Sequence, residues 1–241
     1  MYESSKGYWW GYFNGNYYQS GLWYFFPAVF TIKTPIPLII FILIFLILTI
    51  LKKVKSRSFI AILISVSIAW FFLYFMFLNK LIIGLRYLLM VFPLFILLIS
   101  PVFNFSPKNK FINYCYKFLI ILLLGWYVWG IVSIRPFYLA FANETIGGPK
   151  NLWRYVADSS LDWNQDQNFF NEYKIKHPEL TAINPINPVA GKIAMNVNHM
   201  SLYYFYQTQW LRDLHKDPID EIGYTWLIFQ VSPEELTHVK K

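Results

Sequence analysis

Residues Phe59–Leu78, with the sequence FIAILISVSIAWFFLYFMFL, form a run of 20 residues without one charged side chain. A helix needs about 20 predominantly apolar residues to cross the hydrocarbon core of a bilayer, which is roughly 30 Å thick. The run therefore predicts a transmembrane helix and indicates a membrane protein.

The composition of the whole chain agrees with this interpretation. Of the 241 residues, 56% are hydrophobic, 21% are aromatic and only 14% are charged, which is too apolar for an ordinary soluble domain. Residues 1–136 hold 12 Lys or Arg against the single acid Glu3, whereas residues 137–241 hold 9 Lys or Arg against 12 acids. The net charge of +8 is the sum of +11 in residues 1–136 (12 basic minus 1 acidic) and −3 in residues 137–241 (9 basic minus 12 acidic). This distribution does not indicate a nucleic-acid-binding protein.

Three further apolar runs lie on either side of Phe59–Leu78. Ile36–Leu51 and Phe118–Ile134 carry no charge, and Leu81–Ser100 is interrupted only by Arg86. The first is long enough to cross a bilayer if its helix begins near Phe30. We predict four transmembrane helices, at about 35–51, 59–78, 81–100 and 115–134.

Basic residues are concentrated in two of the predicted loops, and they set the orientation. By the positive-inside rule these loops face the cytoplasm. The predicted fold is a polytopic α-helical membrane protein of a bacterial plasma membrane, with the helices in 35–136, an aromatic segment in 1–34 and a small extracytoplasmic α/β domain in 137–241. The basic residues are Lys52, Lys53, Lys55 and Arg57 in the first loop, and Lys108, Lys110 and Lys117 in the second.

The aromatic segment 1–34 allows two interpretations. Its rings suit an interfacial belt at the lipid headgroups, or a surface that stacks on a sugar or lines a lipid groove. No signal peptide precedes the segment, so we expect that further spans lie upstream and that this is the C-terminal part of a longer protein or one half of a split one. The rings include Tyr8, Trp9, Trp10, Tyr12, Phe13, Tyr17, Trp23, Tyr24, Phe25 and Phe26.

Two cations are predicted at the outer end of the spans. Lys33 precedes the first span, and Arg86 lies about one turn into the third. An arginine within a span costs at least about 2.5–3.5 kcal/mol unless it snorkels or is paired. Arg86 is thus either an anchor that sets helix depth or, with Lys33, a ligand for a lipid phosphate.

The tail contains the segment Asp158-Ser-Ser-Leu-Asp-Trp-Asn-Gln-Asp166, which we call the aspartate loop. If Asp158, Asp162 and Asp166 share a helix, their four-residue spacing places them on one face. A hydrogen-bonded junction, contact with substrate or a catalytic half, and a divalent cation site are the three alternatives. No calcium-loop or histidine ligand spacing is present, so the sequence predicts no metal.

Short elements of mixed type are predicted around this loop. Asn164–Lys176 has a helical pattern with Asp162 as its N-cap, and the runs Lys192–Val197 and Tyr224–Val231 resemble strands. Ser232 and Glu235 have the spacing of a capping box at a helix start.

Several segments, taken in order, resemble the C-terminal half of bacterial protein-mannosyltransferase-like enzymes, which are glycosyltransferase family 39 and its relatives. The likeness covers nearly the whole chain, and the aspartate loop departs from the family pattern where Ser160 replaces Asn and Asn164 replaces Gly. The segments are Gly21-Leu-Trp-Tyr-Phe-Phe-Pro27, Lys33-Thr-Pro-Ile-Pro37, Arg86-Tyr-Leu-Leu89 with Pro93, Ala142-Asn-Glu-Thr-Ile-Gly-Gly-Pro149, Asp158–Asp166 and Trp210-Leu-Arg212 with Ile222-Gly-Tyr224.

The resemblance implies a GT-C fold and a glycosyltransferase that moves a sugar from a polyprenyl-phosphate donor to an outer-face acceptor, a protein, glycan or lipid. The family's catalytic base is a carboxylate in a first extracytoplasmic loop that this sequence does not contain. No cofactor is implied. The implied lipid-phosphate residues are Lys33, Arg86 and Tyr87, and the signature residues of the outer domain are Asn143, Glu144, Asp158, Asp162, Trp163, Gln165 and Asp166.

A second hypothesis keeps the membrane location but not the catalysis. The chain would then bind a polyprenyl lipid, or a partner glycosyltransferase half, without transferring a sugar itself.

Overall fold

A computed structural model describes residues 11–19, 21–54, 59–80, 82 and 84–237. Several residues used in the sequence predictions lie outside this part of the chain. They are Tyr8, Trp9 and Trp10 of the aromatic segment, Lys55 and Arg57 of the first basic loop, and Leu81 at the predicted start of the third span.

The described residues begin with a β-hairpin. Strands β1 (Gly11–Phe13) and β2 (Asn16–Tyr18) pair antiparallel. The turn is Asn14-Gly15, and both residues have positive φ, which is the chemistry that a tight two-residue hairpin requires.

Many rings of the aromatic segment are buried rather than presented at a surface. Tyr12, Phe13, Phe25 and Phe26 belong to the main hydrophobic core, whereas Trp23 is 58% exposed. Neither an interfacial belt nor a stacking surface describes the four buried rings. They anchor the hairpin to the rest of the protein.

Helices α1 (Phe25–Lys33) and α2 (Ile36–Ile50) meet at a bend of 110°. Thr34 is extended because it precedes Pro35, whose ring disfavours helical backbone in the residue before it and which has no N–H to donate. The expectation that one straight helix runs on from Phe30 is therefore wrong.

Two other helices are long and apolar enough to cross a membrane. Helix α3 (Phe59–Leu73) continues as a π-helical turn to Leu78, giving 20 residues, and α5 (Lys110–Ser133) has 24. Most of their apolar side chains are exposed, as lipid-facing helices require. Within the described residues the candidate spans number two, or three if the bent pair α1 and α2 counts as one.

The predicted third span does not form a single long helix. Leu85–Leu88 is a 3-10 turn, and α4 (Val91–Asn104) has only 14 residues. Gly84 has φ +21°, which interrupts the helix before Arg86. The helix lengths therefore support fewer spans than the four that hydropathy predicts.

Residues 137–237, which we call the polar domain, contain short helices and a four-stranded sheet of order β3-β4-β6-β5. The β3–β4 pair is parallel and the other two pairs are antiparallel. The strands are β3 (Leu180–Ile183), β4 (Gly191–Asn196), β5 (Asp220–Ile222) and β6 (Trp226–Val231), and the helices are α6 (Leu152–Tyr155), α7 (Gln167–Lys176), α8 (Gln209–Asp213) and α9 (Pro233–Thr237).

Two local predictions for this domain had different outcomes. The capping box is confirmed: Glu235 N donates to Ser232 Oγ at 3.3 Å, and Ser232 N donates to Glu235 Oε2 at 2.8 Å. The predicted cap of α7 is wrong, because the helix begins at Gln167 and Asp166, not Asp162, precedes it.

The polar domain shares one hydrophobic core with the apolar half. Phe26 of α1, Leu88 beside Arg86, Leu161 of the aspartate loop and Met200 are fully or almost fully buried in the same cluster. This shared core fixes the aspartate loop against the segment that carries Arg86.

Candidate functional site

The aspartate loop is a compact turn, not a helix. Asp158–Ser160 form a 3-10 turn, and both Asp158 and Asn164 have positive φ, of 53° and 63°. Gln165 closes the turn, since its Oε1 accepts from Trp163 N at 2.6 Å and its Nε2 donates to the Leu161 carbonyl at 2.9 Å. Asn suits the position of Asn164, because it tolerates the left-handed conformation better than most residues.

The three aspartates of the loop have different roles. Asp162 Oδ1 accepts from Asn164 N at 2.7 Å, and Asp162 Oδ2 accepts from Asn196 Nδ2 at 2.9 Å. Asp166 is buried and accepts from Thr225 Oγ1 at 2.9 Å. Burial, with a smaller effect of the Asp162 charge, raises the pKa of Asp166 to about 6.

The aspartates do not form the stripe that a shared helix would have produced. Among the residues that the structure describes, no group of three or more His, Cys, Asp or Glu side chains could hold a metal ion. The loop is a hydrogen-bonded junction with a cavity on each of two sides.

The first cavity, of about 360 Å³, contains both predicted cations, and we call it the Lys33–Arg86 cavity. Its wall is mostly apolar, which suits a lipid chain. Its charged and hydroxyl-bearing residues are Lys33, Arg86, the two serines of the aspartate loop, Tyr127 and Tyr138. Its apolar residues are Pro35, Leu85, Leu89, Phe92, Ile131, Ile134, Leu139 and Phe141.

Lys33 is held at the cavity by backbone carbonyls. Its Nζ donates to the carbonyl of Leu139 at 2.7 Å and to the carbonyl of Ser160. Neither Lys33 nor Arg86 forms a salt bridge within the described part of the chain. A lysine and an arginine therefore share a largely apolar cavity without a carboxylate partner among the described residues.

Two serines of the aspartate loop, Ser159 and Ser160, also line this cavity, and their hydroxyls are buried. Ser159 and Ser160 are 5% and 1% exposed, and neither Oγ has a hydrogen-bond partner among the described residues. A buried hydroxyl without a partner costs roughly 1–3 kcal/mol, and both hydroxyls are donors for which the described residues supply no acceptor.

Arg86 connects the cavity to the aspartate loop. Its guanidinium carbon lies 5.1 Å from the centre of the Trp163 ring and 5.0 Å from that of Tyr87, within cation–π range. Arg86 also donates to the Tyr87 hydroxyl at 3.3 Å. Tyr87 itself does not line the cavity, so it orients Arg86 rather than contributing to the wall.

The second cavity, of about 530 Å³, lies on the other side of the aspartate loop, and we call it the amide cleft. Asp158, Asp162 and Trp163 line it, together with three asparagines from around β4. Asn196 Oδ1 accepts from Asn198 N at 2.9 Å, and Asn198 Oδ1 accepts from Asp158 N at 2.7 Å, so the amides fix one another and the loop.

Four of the predicted signature residues line neither cavity: Asn143, Glu144, Gln165 and Asp166. Asn143 is buried, and its Nδ2 donates to the carbonyls of Thr31 at 2.6 Å and Thr34 at 2.8 Å. These hydrogen bonds supply partners for carbonyl groups at the end of α1. Glu144 Oε1 accepts from Trp126 Nε1 of α5 at 2.8 Å. Both contacts hold helices in place.

Sequence reasoning missed the serines and the amides that line the two cavities. Ser159 and Ser160 lie inside the aspartate loop, but nothing in the pattern distinguished them from ordinary turn residues. Asn196 and Asn198 alternate with Val197 at the end of a strand, which is a usable signal that two side chains share one face.

The described residues thus form two or three helices able to span a membrane, joined to a small mixed-sheet domain; the Lys33–Arg86 cavity is lined by both parts, and the amide cleft by the domain alone. No protein-family model, curated protein or solved structure matches the chain.

Proposed function

We propose that the protein is part of a membrane glycosyltransferase that binds a polyprenyl-phosphate sugar donor at the Lys33–Arg86 cavity. The observation that carries the proposal is the combination of two cations without salt-bridge partners and two hydroxyls without hydrogen-bond partners, among the described residues, on one apolar cavity. A lipid phosphate supplies both the missing anion and the missing acceptors.

The reaction that fits this cavity is displacement of a lipid phosphate. An acceptor hydroxyl attacks the anomeric carbon and loses its proton to a general base. The bond from that carbon to the phosphate oxygen breaks, and its electron pair stays on the phosphate. Lys33 and Arg86 stabilise the negative charge of the departing phosphate, as cations do in phosphoryl sites generally.

The proposal includes the orientation and the missing base. We propose four spans in a bacterial plasma membrane; with that number, the positive-inside rule places the polar domain and both cavities at the extracytoplasmic face. No Asp or Glu among the described residues lines the Lys33–Arg86 cavity, so the general base of the proposed reaction lies outside this lining.

A binding assay tests the phosphate site directly. The full chain in lipid nanodiscs is titrated with radiolabelled undecaprenyl phosphate, and undecaprenol serves as the uncharged probe. A hydrogen bond to a charged group contributes about 1.5–3 kcal/mol, so Lys33→Met and Arg86→Gln should each weaken phosphate binding about tenfold to a hundredfold. The exposed Lys174 of α7 gives a matched control, Lys174→Met, which should bind as the wild type does.

Equal binding of the phosphate and the alcohol by the wild type would contradict the proposal. Unchanged binding by the Lys33→Met and Arg86→Gln double variant would do the same.

A second candidate function is a non-catalytic subunit that binds a polyprenyl lipid. It is favoured by the same absence of a carboxylate from the cavity lining. Sugar transfer assayed with and without a co-expressed N-terminal half separates the two, because only a catalytic pair produces labelled acceptor.

A further inference from the structure

The amide cleft is chemically unlike the cavity on the other side of the aspartate loop. It is lined by Asp158 and Asp162 and by no Lys or Arg. Two carboxylates without a cation repel a phosphate or a nucleotide. The cleft therefore suits an uncharged, polar ligand.

Several polar groups of the cleft have unused hydrogen-bonding capacity. Asn184 Oδ1 accepts from Asn196 N at 2.7 Å, while its NH₂ group has no described partner. His199 Nε2 is buried without a partner among the described residues. Burial also lowers the pKa of His199, which favours the neutral ring that can donate at one nitrogen and accept at the other.

Two exposed rings stand among these polar groups. Trp163 is 60% exposed and Tyr203 is 69% exposed, and both line the cleft. A pyranose ring combines an apolar C–H face with hydroxyls at its rim, so flat aromatic rings beside amides and carboxylates match its chemistry.

We propose that the amide cleft binds a saccharide and that this saccharide carries the acceptor hydroxyl. The inference rests on the proposed glycosyltransferase function, because Trp163 lines the cleft while its ring lies 5.1 Å from the guanidinium carbon of Arg86. A sugar against Trp163 is thus next to the residue proposed to hold the donor phosphate.

The test uses saturation-transfer NMR on the full chain in nanodiscs. The probes are the methyl glycosides of glucose, mannose, galactose and N-acetylglucosamine, with a serine- and threonine-containing peptide as the competing class of acceptor. At least one glycoside should give transfer to its ring protons, and Tyr203→Leu should weaken its binding about tenfold, the loss expected for one aromatic contact.

Tyr206→Leu is the matched control. Tyr206 is 63% exposed and close in the chain to Tyr203, but it does not line the cleft. Its variant should bind the glycoside as the wild type does, and the melting temperatures of both variants establish that they are folded.

Three results would overturn the inference: no signal from any glycoside, equal loss in the Tyr203 and Tyr206 variants, or binding of the peptide at the cleft in place of a sugar. Binding of undecaprenyl phosphate is measured on the same samples. Failure with the glycosides but intact phosphate binding removes the saccharide site alone, whereas loss of phosphate binding removes the proposed function.

Discussion

The guanidinium carbon of Arg86 lies 5.1 Å from the centre of the Trp163 ring, so a residue of the apolar half is in contact with the aspartate loop. A cation over an indole face at an exposed site gains about 0.5–1 kcal/mol. This contact holds Arg86 at the edge of the Lys33–Arg86 cavity.

Replacement of Trp163 should therefore affect phosphate binding through Arg86. We expect Trp163→Leu to weaken undecaprenyl phosphate binding about two- to fivefold, with Trp163→Phe closer to the wild type because a smaller ring still presents a face. The combination with Arg86→Gln should bind no more weakly than Arg86→Gln alone. Additive losses in that double variant would show that Trp163 acts independently of Arg86.

Because Ser159 and Ser160 have no described hydrogen-bond partner, replacing them should lower phosphate affinity without lowering the stability of the fold. Ser159→Ala and Ser160→Ala remove hydroxyls that make no described hydrogen bond, so the melting temperature should be unchanged or slightly raised. Phosphate affinity should fall about two- to tenfold for each, as expected when a donor to an anion is lost. A lowered melting temperature with unchanged affinity would assign the hydroxyls a purely structural role.

Gly84 is predicted to be intolerant of a side chain. A Cβ there would lie 2.5 Å from Ser159 Oγ and 3.0 Å from its backbone, and φ is +21°. Gly84→Ala should destabilise the protein by about 1–3 kcal/mol and weaken phosphate binding, since it pushes the Arg86 turn away from the loop. Gly125→Ala in α5 is the control: a Cβ meets nothing within 4 Å there, and helix propensity favours Ala by about 0.5–1 kcal/mol. A similar melting temperature for both variants would argue against this packing.

Asn164 should tolerate Gly and not a β-branched residue. Its φ of +63° lies in the left-handed region, where Gly is unstrained and Val is strongly disfavoured. We expect Asn164→Gly to stay within about 0.5 kcal/mol of the wild type and Asn164→Val to lose about 1–2 kcal/mol, measured by denaturant unfolding in detergent. Equal stabilities would indicate that the loop adopts another conformation in solution.

Asp166 should make stability depend on pH in a defined direction. Its folded pKa of about 6 exceeds the value of about 3.9 for an unfolded aspartate, so the folded state binds the proton more tightly. The stabilisation from this group is complete below pH about 4 and is lost as the pH rises through about 6. Asp166→Asn mimics the protonated acid.

The difference in melting temperature between Asp166→Asn and the wild type should accordingly grow between pH 4 and 7. We expect a relative gain on the order of 1 kcal/mol for the variant at neutral pH. A difference that is constant with pH would contradict the raised pKa.

A shared site for Lys33 and Arg86 was one of two sequence-based hypotheses, because Lys33 precedes the first predicted span and Arg86 lies about one turn into the third, near the same side of the membrane. The sequence did not predict the third helix correctly, since hydropathy registers the apolar residues of 81–100 but not the backbone conformation of Gly84. The end of α1 at Lys33 could have been predicted from Pro35. The long apolar run around it instead suggested that the helix continued. Ser159 and Ser160 could not be predicted as site residues, because the burial of a hydroxyl without a partner depends on the tertiary packing around it.

The bond from Asn143 to the end of α1 has a consequence for biosynthesis. The amide that satisfies the Thr31 carbonyl lies 112 residues later in the chain. The bend between α1 and α2 is local to Thr34 and Pro35, but the hydrogen bonds that Asn143 donates to the Thr31 and Thr34 carbonyls cannot form until α5 has been synthesised.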